Sequence, residues 1–103
     1  MDVVRKEVRA LIDKEHDEAL RNHGMFASHH EKHSVMQEEL EEAMDEVEQL
    51  KKEFACMWSA VKHDQHENAE SFANRIRYTA EHLAIEAIQV AATAKKQVKQ
   101  KGE

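Results

Sequence analysis

The chain has 103 residues, the length of one domain, with no proline, two glycines and 5% aromatic residues, which excludes turn-rich β-sandwiches and barrels. Its net charge of −6 makes duplex nucleic acid or an anionic membrane surface a poor partner. No apolar run approaches the roughly 18 residues that a membrane span needs.

The first helix is expected over residues 2–22. Val4, Val8, Leu11, Ile12, Glu15 and Ala19 fall on one face, and Glu15 is the only charged group among them. Asp2 suits the N-cap and Gly24 the C-terminal stop. The start, Met1-Asp2-Val3-Val4-Arg5-Lys6-Glu7, has no apolar leader. With a single cysteine, Cys56, expected as a small buried thiol, this suggests a cytoplasmic protein.

The second helix is expected over 29–63. Ser28-His29-His30-Glu31 is a capping box. Met36, Leu40, Ala43, Val47, Leu50, Phe54, Met57, Trp58 and Val61 form its apolar stripe. His29, His30 and His33 cluster at its start, where a solvated, titrating group is the ordinary reading and a zinc pair the rarer one. Residues 64–68 lack any apolar side chain and read as a turn.

The third helix is expected over 69–98, with Phe72, Ile76, Thr79, Leu83, Ala87, Val90, Ala94 and Val98 on one face. Its centre is rich in alanine. Four of the seven residues from Lys95 to Lys101 are lysine, and this end is expected to fray. Together these elements give an all-α fold, a helical bundle of three main helices in one domain spanning 1–103. Helices this long leave apolar stripes that a short first helix cannot cover. A homodimer or tetramer is therefore expected to complete the bundle.

Seven of the eleven residues from Glu38 to Glu48 are acidic and none is basic. At 3.6 residues per turn, Glu39, Glu42 and Glu46 line one edge of the apolar stripe, and Glu38, Glu41 and Asp45 face outward. On the third helix Glu86, Gln89, Thr93 and His82 border the stripe in the same way. If these helices pack antiparallel, the two edges face one groove, where converging carboxylates repel each other. A dication relieves that repulsion, and oxygen ligands without thiolate favour Mg²⁺ or Mn²⁺.

Glu39-Leu40-Glu41-Glu42 and Glu86-Ala87-Ile88-Gln89 resemble the E-x-x-E … E-x-x-D signature of the MazG-like all-α nucleoside triphosphate pyrophosphohydrolases. The wider strings Gln37 to Ala43 and Glu86 to Ala92 look like the short MazG-like proteins of phages and prophages, over roughly residues 34–96. The resemblance implies an oligomeric, Mg²⁺-dependent hydrolase that converts a nucleoside triphosphate to a monophosphate and pyrophosphate. It implies Glu39, Glu42 and Glu86 as metal ligands, with Gln89 where the family has aspartate. An amide oxygen can ligate a metal but brings no charge and cannot act as a base. Glu46 is the expected general base, and His82, Lys95 and Lys96 are the expected phosphate contacts. The alternative is a non-enzymatic helical oligomer whose acidic groove is vestigial.

Overall fold

The computed structural model describes residues 2–100. The chain is all-α, with α1 Asp2–His23, α2 His29–Lys62 and α3 His66–Lys95. Among the described residues no helix is long and apolar enough to cross a membrane.

The helix ends follow from local chemistry. Gly24 stops α1 at φ 70°, its N–H donating to Leu20 O at 2.8 Å. Ser28 Oγ accepts from Glu31 N at 3.1 Å, as the capping box requires. At the end of α2 the chain closes a Schellman motif. Asp64 N donates to Val61 O at 3.2 Å and Gln65 N to Ala60 O at 2.9 Å, which puts Asp64 at φ 55°. The turn is therefore shorter than the expected 64–68. His66, Glu67 and Asn68 belong to the first turn of α3, a polar turn that leaves no trace in an apolar period. Glu67 there suits the positive pole of the helix.

Two compact units divide the chain, one formed by residues 1–41 and 86–103 and the other by Glu42–Ile85. The first holds α1, the start of α2 and the end of α3, with Phe26 and Ala92 buried. α3 stops at Lys95, before the expected residue 98. Residues 96–99 then run beside the α1–α2 linker: Phe26 N donates to Gln97 O at 3.0 Å, and Lys99 N donates to Phe26 O at 2.8 Å. The lysine-rich end is thus paired up to Lys99, while 101–103 lie outside the described residues. Lys32 Nζ donates to Ala94 O at 2.8 Å, and Lys95 Nζ to Asp13 Oδ1 at 2.5 Å.

The second unit is an antiparallel hairpin of α2 and α3, in which His82 Nδ1 lies 3.9 Å from Glu46 Oε1. Its buried residues are Ala43, Glu53 and Ala60.

The inward stripe of α2 differs from the expected one. Buried or half-buried side chains recur at Met36, Glu39, Ala43, Glu46, Leu50, Glu53, Met57 and Ala60, in steps alternating between three and four. Leu40, Phe54, Trp58 and Val61, expected in the stripe, are exposed. Glu39, Glu46 and Glu53 occupy positions one residue before Leu40, Val47 and Phe54. Cys56 falls on neither stripe and is exposed, contrary to expectation.

Two measurements check this fold. Gly24 has nothing within 4 Å of where a Cβ would stand, so Gly24→Ala meets only backbone strain. It should destabilise by about 1–2 kcal/mol, and Asp64→Gly should stabilise by a comparable amount, read from thermal unfolding. The second measurement concerns Lys95, which holds the Asp13 carboxyl below the usual carboxylate range, first by its hydrogen bond and then by its charge. A carboxyl lowered in the folded state adds stability above its unfolded value, and that stability is lost as pH falls through the folded value. Asp13→Asn should therefore melt slightly lower than the wild type at neutral pH, with the gap closing in acid.

Candidate functional site

The first unit carries an open cavity of about 440 Å³, within the range of small-molecule sites. Each helix presents one face to it. α1 gives Glu15, Ala19 and His23, and α2 gives Glu31, Val35 and Glu39, both at helical steps of four. α3 and the residue after it give Gln89, Ala92, Thr93 and Lys96, while Met25 and Phe26 of the linker complete the wall.

Phe26 is 4% exposed and is the largest buried apolar side chain. Lys96 is 7% exposed, and its ammonium lies 4.2 Å from the Phe26 ring centroid, a cation–π contact. Three carboxylates, of Glu15, Glu31 and Glu39, and the Lys96 side chain thus share the walls.

Of the residues expected from the sequence, Glu39, Gln89 and Lys96 meet in this cavity. Glu86 lies one turn before Gln89 in the same unit; Glu39 Oε1 and Glu86 Oε2 are both shut off from solvent. Glu42 is exposed on α2 in the second unit, where Glu46 is half-buried and His82 exposed. Lys95 points away from the cavity, to Asp13. His29, His30 and His33 are exposed. Among the described residues no group of three or more histidine, cysteine, aspartate or glutamate side chains is placed to hold a metal ion.

Thr93, placed by its spacing on the same edge of α3 as Gln89, also lines the cavity; Glu15, His23, Glu31 and Phe26 complete the site and were not expected in it. Glu15 left a signal as the one charged member of the α1 face. Glu31 carried none, since its capping role accounts for it. The chain finds no match among protein-family models, curated proteins or solved structures.

Phe26→Ala should cost about 3–5 kcal/mol of stability, read from denaturant titration.

Proposed function

We propose that the chain is a cytoplasmic MazG-like nucleoside triphosphate pyrophosphohydrolase dependent on Mg²⁺. One observation carries this reading: Glu39 and Gln89, from the two motif helices, share a cavity with the side chain of Lys96. Three carboxylates beside one ammonium repel a polyphosphate that enters alone. The same walls suit a polyphosphate that arrives with a dication. The donors fit Mg²⁺ by type, being hard oxygens. They do not form a closed cage, and Mg²⁺ does not need one, because it commonly takes one or two carboxylates and completes its shell with water and substrate phosphate. Glu39 and Gln89 would hold it, with Glu86 beside them. When bound, the ion neutralises phosphate charge and acidifies a coordinated water.

The remaining tasks fall to the chain's own groups. Lys96 donates its ammonium N–H to a phosphate oxygen. Thr93 and His23 offer further polar contacts on the same wall. In the hydrolysis, water oxygen bonds to the α-phosphorus, the bond from that phosphorus to the α–β bridging oxygen breaks, and pyrophosphate leaves. The water proton passes to a carboxylate: Glu15 and Glu31 line the cavity, and Glu46 is the choice from sequence. Gln89 in place of aspartate removes one negative charge from the set and weakens metal binding.

A second reading is a non-enzymatic helical oligomer with a vestigial groove; it is favoured by the finding that among the described residues no group of three or more histidine, cysteine, aspartate or glutamate side chains is placed to hold a metal ion. Pyrophosphate release from a nucleotide panel with Mg²⁺ separates the two. Turnover should be abolished by Glu39→Ala, lowered at least tenfold by Lys96→Met and raised by Gln89→Asp. Single glutamine variants of Glu15, Glu31 and Glu46 then assign the base. No release with any nucleotide, from either the wild type or Gln89→Asp, favours the second reading.

A further inference from the structure

We infer that a second open cavity in the first unit binds a small carboxylate anion with a short apolar body. The inference does not depend on the nucleotide reading. This cavity has a volume of about 320 Å³ and is lined by His16, Leu20, Met25, Lys95 and Gln97. It shares only Met25 with the first cavity. At about 30 Å³ for a water-sized group, it holds on the order of ten such groups.

The register of α1 and the end of α3 build the wall. Asp13, His16, Asp17 and Leu20 follow i, i+3, i+4, i+7 and share one face of α1. α3 ends at Lys95. Phe26 N then donates to Gln97 O at 3.0 Å, which ties the linker residue Met25 and the side chain of Gln97 to the same side of the unit.

The chemistry of this wall is opposite to that of the first cavity. There Glu15, Glu31 and Glu39 supply carboxylates. Here, among the described residues, the lining holds no carboxylate: Lys95 supplies a positive charge, His16 a ring nitrogen and Gln97 an amide. Lys95 and His16 are each held by an aspartate that does not line the cavity. Asp13 Oδ1 accepts from Lys95 Nζ at 2.5 Å, and Asp17 Oδ1 lies 3.0 Å from His16 Nδ1. An ammonium has three N–H groups, so the bond to Asp13 does not exhaust it.

These groups set the class of ligand. One ammonium favours an anion, and the carboxylates of Asp13 and Asp17 close by oppose a second negative charge on it. That selects a monoanionic carboxylate over a phosphate dianion. Leu20 and Met25 take the apolar body, with the flexible thioether of Met25 adapting to its shape. Leu20 is 36% exposed, so a ligand that covers it removes apolar surface from water.

Hexanoate is the probe, titrated into the full chain while the His16 imidazole and Met25 methyl signals are followed by nuclear magnetic resonance. Both signals should move and saturate. Hexylamine, with the same apolar body and the opposite charge, should leave them unmoved, and inorganic phosphate should bind more weakly than hexanoate. Lys95→Gln should weaken hexanoate about tenfold or more, and Lys95→Arg should retain it. Lack of saturation overturns the inference, as does binding of hexylamine, or of phosphate, as tight as that of hexanoate. So does hexanoate binding that survives Lys95→Gln or that moves His23 of the first cavity in place of His16. Should Lys95→Gln fail to fold, the three wild-type titrations decide the outcome by themselves.

Discussion

α2 carries two stripes one residue apart and can turn only one of them toward its own chain. The inward one contains Glu39, Glu46 and Glu53, and the outward one contains Phe54 and Trp58. Burial of apolar area alone would select the opposite arrangement, since each exposed aromatic leaves well over 100 Å² of apolar surface in water. The observed choice draws carboxylates out of solvent and leaves the hydrophobic ridge outside. In the first unit Glu39 lies on the cavity wall, and in the second Phe54 and Trp58 stay exposed.

The first unit is organised around Phe26. The linker that carries it has no helical period, yet its backbone is tied on both sides to residues 97 and 99, and its ring is capped by Lys96. This arrangement fixes where α3 ends, since the chain must leave the helix to run alongside the linker. It also sets the Lys96 ammonium against the ring, in a space walled by the carboxylates of Glu15, Glu31 and Glu39.

Much of the fold was legible in the sequence. The three helices, the Ser28 capping box and the Gly24 stop all stand where local chemistry puts them. Glu39 and Gln89 were legible as facing one space, because their spacing and their place beside an apolar face carry that information. Met36, Ala43, Leu50 and Met57 of the expected α2 stripe do face inward, but the carboxylates between them were not legible, because the apolar pattern favours Leu40, Phe54, Trp58 and Val61, which end up outside. Glu53 was missed for that reason, lying one step from Phe54. The different roles of Lys95 and Lys96 were equally hidden: they are neighbours of one type, separated only by where α3 ends. That end depends on pairing with Phe26, seventy residues earlier in the chain.

Glu53 gives the most direct test of the rotation of α2. It is 8% exposed; Gln49 donates to its Oε2 at 3.3 Å, and its Oε1 is buried without a hydrogen bond. A buried carboxylate so poorly matched costs stability that an apolar residue of similar size would recover. The decisive measurement is thermal unfolding of Glu53→Leu beside the wild type at neutral pH. With Glu53 facing inward, the variant melts several degrees higher, as expected for roughly 1–3 kcal/mol in a chain of this length. An unchanged or lower melting temperature would place Glu53 in solvent and contradict the inward carboxylate stripe.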